Sequence, residues 1–275
     1  MAAKVFTIGN FKGGVGKTKI ATMLAYDQAN ILNKKTLLID MDPQANASTI
    51  LARSGGVGNI TRTIVDGLRE EDFSKCITPI FENLDLIACT TQFSRFETYA
   101  IDGYKDENER IQIMNRLITP LRESYDYIYI DVPPTISVFS DNAMAASDYS
   151  IIAFQTVDES LDGVSKYVSY QNFMASHYGV QLQAIDIIPC MTDAADKLDK
   201  TILAEAREKF GTAVSENVVT YQKRLRNYSR TGISIKRYKN GNMDQWDFMA
   251  HGVFLNILKE IDARIIFLNS ARVGE

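Results

Sequence analysis

Short, unbroken apolar runs alternate along the chain with segments of helical period. The first run, KVFTIGN (4–10), is followed over 18–33 by Ile20, Met23, Leu24, Ala25, Ala29 and Leu32 at helical spacing, and then by KTLLIDMD (35–42). A strand covered on both faces is apolar throughout, whereas a helix lying on a sheet is apolar along one stripe, so the three segments predict one βαβ unit. Four more runs have strand character: LDLIAC (84–89), YDYIYID (125–131), YSIIAFQ (149–155) and QAIDIIP (183–189). Helical periods lie between them at 107–124, with Ile111, Met114, Leu117, Ile118 and Leu121 on one side, and at 160–177. The stretch 246–268, with Val253, Phe254, Leu255, Ile257, Leu258, Ile261, Ile265 and Leu268, predicts a closing helix packed on the sheet. Strands alternating with helices specify an α/β fold, a mainly parallel twisted sheet with helices on both faces. Segments 52–62 and 98–108, rich in glycine or charge, predict exposed loops. No repeat or composition break interrupts the pattern, so one domain over residues 1–275 is expected.

Composition narrows the class. The chain is 45% hydrophobic and 23% charged with a formal net charge of −4, and has no apolar run near the roughly 18 residues of a membrane span. Its start, MAAKVFTIGNF, lacks the basic segment and long apolar stretch of a secretory signal, so a cytoplasmic protein is expected. Cys76, Cys89 and Cys190 are odd in number and without C-x-x-C spacing, against a disulfide framework or a zinc site; they are expected as small buried hydrophobes. His177 and His251 stand far apart and suggest no histidine-based centre.

The chemistry sits where strands end. Between the first strand and its helix lies FKGGVGKT (11–18). Glycines let backbone N–H groups turn around phosphate oxygens, the helix N-terminus adds partial positive charge, Lys17 neutralises the β- and γ-phosphates, and the Thr18 hydroxyl ligates Mg²⁺. Phe11 stands where the common phosphate loop has its first glycine, and KGG compensates for it. In LLIDMDPQANAS (37–48), Asp40 and Asp42 close the next strand, where a carboxylate can hold Mg²⁺ through water or position an attacking water. In YDYIYIDVPPT (125–135), Asp131 fits the acid completing the Mg²⁺ shell, followed by the rigid Pro133–Pro134 turn.

Taken in this order and spacing, KGGVGKT, LLIDMDPQ and YDYIYIDVPP resemble the deviant Walker-type ATPases of the ParA/MinD group, and most of all the ParA plasmid and chromosome partition proteins. FQTVDESLDGVSKYV (154–168) extends the likeness, which covers roughly residues 4–190. The resemblance implies a P-loop NTPase fold binding ATP and Mg²⁺, with two nucleotides sandwiched in a homodimer. It further implies that Lys12 reaches the partner's phosphates, that Gly13, Gly14, Val15, Gly16, Lys17, Thr18 and Lys19 cradle the subunit's own nucleotide, that Asp42 orients the hydrolytic water and that Asp131 organises Mg²⁺ beside Thr18 and Asp42. A second lysine offers charge where two opposed nucleotides would otherwise repel. Lys19 departs from the family's usual threonine, leaving its backbone N–H for the α-phosphate. IIPCMTD (187–193) lacks the asparagine often found near the adenine, and its Pro189 and Met191 are expected among the nucleotide-binding residues.

From Thr220 to Asn240 there are seven basic residues and no acidic one. Lys223, Arg224, Arg226, Arg230, Lys236, Arg237 and Lys239 are interleaved with Tyr221, Tyr228 and Tyr238. Such a stretch predicts salt-sensitive, sequence-independent contact with DNA phosphates. The resemblance adds ATP-dependent nonspecific DNA binding, association with the nucleoid, and a ParB-like centromere-binding partner that stimulates hydrolysis. The loop begins too near the first residue for an N-terminal helix-turn-helix domain, so operator-specific binding is not expected. A MinD-like membrane-positioning ATPase is the alternative. Glu260 and Asp262 offset Lys259 and Arg264, and the tail NSARVGE has no apolar anchor, so stable membrane insertion is not expected. Val132 follows Asp131 where a metal-cluster protein of the same fold would want a cysteine.

Overall fold

The computed structural model describes residues 2–193 and 195–273. Its strands β1 (Lys4–Gly9), β2 (Thr36–Asp40), β3 (Ile77–Phe81), β4 (Leu84–Ile87), β5 (Tyr127–Asp131), β6 (Tyr149–Gln155), β7 (Gln183–Thr192) and β8 (Val219–Thr220) form one sheet in the order β3-β4-β2-β5-β1-β6-β7-β8. Every pairing is parallel except the β3–β4 hairpin at one edge. Parallel strands need crossovers, and helices supply them on both faces, which is why β2 and β5 are buried at every position.

The helices, in chain order, are α1 (Lys17–Asn30), α2 (Asn46–Gly55), α3 (Ile64–Glu70), α4 (Phe96–Gly103), α5 (Glu107–Ile111), α6 (Ile113–Ile118), α7 (Val138–Ala146), α8 (Asp158–Tyr178), α9 (Lys197–Phe210), α10 (Lys223–Thr231) and α11 (Gln245–Val273). Alternate strand residues feed opposite layers. Phe6, Ile8, Leu38 and Tyr129 pack with α1, α2, α10 and α11, while Val5, Leu37, Ile39 and Ile130 pack with α3, α4, α6 and α7. The closing helix forms as expected, burying Phe254, Ile257, Leu258, Ile261 and Ile265.

Several boundaries differ from the sequence reading. The single helix expected over 107–124 is broken into α5, α6 and a 3₁₀ turn at Thr119–Glu123, which opens with Pro120 in its first positions. The expected loop at 98–108 is α4 through Gly103, held by the buried pair Phe96 and Ala100, four residues apart. The loop expected from 52 starts only after Gly55, where α2 ends on Gly56 at φ 67°. Strand β7 runs three residues past the expected end at 189.

A buried polar chain joins α1, α10 and α11. His251 Nδ1 lies 2.5 Å from Asp27 Oδ1, its Nε2 lies 3.3 Å from the Tyr228 hydroxyl, and that hydroxyl donates to Asp247. Burial pushes the His251 imidazole down, but the Asp27 carboxylate outweighs it and holds the pKa above the ordinary 6.5. Folding therefore takes up a proton that the unfolded chain has released, so this contribution is complete below about pH 6.5 and lost as pH rises through the folded value. His251→Ala is expected to cost about 3–5 kcal/mol near pH 7, because it strands the buried Asp27 carboxylate. Chemical denaturation checks it, and a loss below about 1 kcal/mol would exclude the ion pair.

Candidate nucleotide site and basic surface

The loop after β1 is set by Asn10, buried at the strand end. Its amide donates to the Ala153 carbonyl at 2.7 Å, and its oxygen accepts the Lys12 N–H at 2.9 Å, turning the chain into KGGVGKT. Gly16 caps α1 at φ 95°, and a Cβ there would come within 3.1 Å of Cys190 Sγ, so any larger residue would strain the turn. The first turn of α1 has neither a side-chain cap nor an acidic residue, which leaves its N–H groups for an anion. Val15 is buried, and its carbonyl accepts from Cys190 Sγ.

Lys17 is only 7% exposed, and its ammonium donates to the Lys12 carbonyl at 3.1 Å. Burial lowers its pKa, while Asp131 and Asp42 pull it back up. Asp40 and Asp131 lie side by side in register at the carboxyl ends of β2 and β5. The two carboxylates have different employment. Asp40 accepts the Ser48 N–H at 2.8 Å, the Ser48 hydroxyl at 2.7 Å and the Asp42 N–H at 3.1 Å, and so anchors the start of α2; burial raises its pKa to about 6. Asp131 is completely buried, and neither of its oxygens accepts a conventional hydrogen bond. Burial and the Asp40 charge push its carboxyl well above the usual range, against the pull of Thr18 and Lys17 beside it. A fully buried carboxylate with two unpartnered oxygens is costly unless a cation completes it.

Gly14, Gly16, Lys17, Thr18, Lys19, Asp42 and Met191 meet around one cavity of about 840 Å³. Met191 adopts φ 59° and is partly exposed at its rim. Pro189 does not reach the cavity: it is buried inside β7 opposite Phe154, because that strand continues to Thr192. The far wall comes from residues that sequence reasoning missed, among them Cys190, Val219, Tyr221 and Gln222. Strand β8 has only two residues, too few for a periodic signal.

Lys19 turns away from the loop. Its amine donates to the Leu225 carbonyl and to the Ser229 hydroxyl on α10, and burial lowers its pKa to about 8. Helix α10 carries the basic stretch. Lys223, Arg226 and Arg230 are exposed on it, and Lys236 and Arg237 are exposed just beyond. Arg224 departs from the expected phosphate-contacting role. It is paired at 2.6 Å with Asp244 and at 2.9 Å with Asp247, two acids lying just past the acid-free window, so its charge is neutralised within the fold. Arg226 also lines the cavity, which brings the basic helix to the edge of the nucleotide site.

A family model described as an AAA domain matches residues 3–184. The sporulation initiation inhibitor protein Soj of Bacillus subtilis is 30% identical over 264 residues, covering 94% of this chain and 98% of Soj. The chain belongs to the ParA/Soj family of partition ATPases. A putative plasmid partition protein from Borrelia burgdorferi, solved bound to AMPPNP, aligns with a TM-score of 0.74 and 25% identity over 96% of this chain and 100% of that one. Cyanothece apo McdA has a TM-score of 0.79 at 17% identity over 96% of this chain and 99% of its own, a likeness of fold. The family's P-loop ATPase fold accounts for the loop after β1, the acids at the ends of β2 and β5, and the cavity that the loop and Asp42 line. Among the described residues, no helix of this ParA/Soj ATPase is long and apolar enough to cross a membrane.

Proposed function

We propose that the chain is a DNA-partition switch in which ATP binding builds a homodimer that holds nonspecific DNA, and hydrolysis, stimulated by a ParB-like centromere-binding protein, releases it. The observation that carries this reading is the continuity of one cavity from Lys17, Thr18 and Asp42 to Arg226 on the basic helix. A nucleotide there lies within reach of the element that would touch DNA.

The residues present fit Mg²⁺. Asp131 offers two buried, unpartnered oxygens, and the Thr18 hydroxyl and Asp42 complete an oxygen donor set suited to a hard cation. When bound, the ion would neutralise charge on the β- and γ-phosphates. The chain's own groups do the rest. N–H groups of the loop and of the α1 N-terminus bind the phosphate oxygens, and Lys17, held by the Lys12 carbonyl, places its charge beside them. Asp42 orients a water toward the γ-phosphorus; the new P–O bond forms as the β–γ bridging bond breaks, and ADP leaves with that electron pair. Lys12, at the front of the loop, reaches the partner's phosphates, so that chemistry waits for dimerisation. Turnover then acts as a timer for DNA release in a cytoplasmic, nucleoid-associated protein.

Charge reversal tests the DNA surface. Changing Arg230, Lys236 and Arg237 together to Glu is expected to weaken DNA retention equally across sequences. The salt-dependence slope should fall by about 3, one for each lost phosphate contact. ATP affinity is expected to stay unchanged, and DNA binding equal to the parent's would move the surface elsewhere. A membrane-surface reading draws on one observation, Ile266 and Phe267 at 68% and 71% exposure on α11. Liposome sedimentation separates it from the DNA reading.

A further inference from the structure

We propose that Lys19 is a shared cation, held by α10 in this structure and taken over by the phosphate chain of a bound nucleotide, so that nucleotide binding loosens the basic helix. The inference rests on the nucleotide reading above. Lys19 stands one residue past Thr18 on the first turn of α1, yet its amine is spent on the Leu225 carbonyl and the Ser229 hydroxyl of α10. Lys19, Leu225 and Ser229 line the same cavity as Lys17 and Thr18, so the amine and the phosphate-binding loop share one space.

The end of α10 is fixed separately. Arg53 of α2 donates to the Ser229 and Arg230 carbonyls at 3.4 and 3.2 Å, and the Ile233 N–H donates to Ser54 Oγ at 2.7 Å. Gly232, at φ 86°, lies so close that a Cβ would come within 2.5 Å of the Ser54 nitrogen. These ties hold the last turn of α10 to α2, and Arg224 and Tyr228 hold the helix to Asp244, Asp247 and His251; Lys19 adds a direct side-chain tie to the first turn of α1. Both present acceptors of the Lys19 amine are neutral. A phosphate oxygen adds to the ammonium's hydrogen bond a charge–charge attraction that a carbonyl or hydroxyl cannot supply, so a phosphate chain entering the cavity wins the competition. Releasing Leu225 and Ser229 removes that tie and loosens α10, still anchored by Arg224 and Tyr228, beside Lys223 and Arg226. A threonine at position 19 could not reach across to α10, so this tie belongs to the lysine.

Amide hydrogen exchange over 223–229, measured on the full chain with and without saturating ADP, tests the proposal without any variant. Exchange there is expected to rise several-fold with ADP, while 230–233 stays protected. In Lys19→Met, which keeps the apolar stem, exchange is expected to be raised already and indifferent to ADP. ADP should bind that variant about tenfold more weakly, while adenosine binds as to the parent. Unchanged exchange in the parent under saturating ADP, or parental ADP affinity in Lys19→Met, would overturn the proposal. ADP failing to bind the parent at all would overturn the nucleotide reading and the proposal with it.

Discussion

Asp42→Ala is expected to lower ATP turnover about 10²–10⁴-fold, the usual contribution of a positioned acid–base group, while ATP and DNA binding persist. Asp42 is the acid suited to the task. It lines the cavity beside Lys17 and Thr18, and its carboxylate accepts the Gln44 N–H at 2.9 Å, which fixes its orientation while leaving oxygen lone pairs for a water. Asp40, two residues earlier, has its carboxylate occupied by Ser48 and the Asp42 N–H, and faces the interior. Phosphate release with and without stimulating partner and DNA measures the effect. The same variant should remain locked on DNA in ATP, since binding would no longer be followed by release. Turnover near the parental rate would reassign the water to another group.

Lys12→Ala is expected to reduce turnover about 10³-fold or more, on the scale of a cation supplied in trans to a transferring phosphoryl group. Its backbone already serves the loop, because its carbonyl holds the Lys17 ammonium and its N–H is held by Asn10, and alanine preserves both. What alanine removes is the side-chain charge. Nucleotide binding by the monomer is therefore expected near the parental level, with ATP-dependent dimerisation weakened in sedimentation velocity. A variant that dimerises in ATP as the parent does would place the first lysine outside the dimer contact.

Much of the fold is legible in the sequence because its strands are buried on both faces and read as unbroken apolar runs. The edges are not. Strand β3 contains Pro79 and is partly exposed, and β8 is two residues long, so neither has a usable period. The helix at α4 was hidden by the charge and glycine around it, since Phe96 and Ala100 alone of its residues are fully buried. At the site, the loop, Asp42 and Asp131 are local signals at strand ends and fall where the sequence puts them. Two features depend on distant residues. Arg224 reads as a free cation until Asp244 and Asp247 fold back onto it, and Lys19 reads as a loop residue until α10 lies across it. Pro189 fails for a register reason, being placed inside β7 by three further strand residues.

In the proposed switch, nucleotide state controls DNA binding. Gel-shift or co-sedimentation with nonspecific duplex DNA, run side by side in ATP with Mg²⁺, in ADP with Mg²⁺ and without nucleotide, tests it most directly. Retention is expected in ATP alone, falling steeply with salt. Equal retention under all three conditions, or none in ATP alongside binding to anionic liposomes, would contradict it.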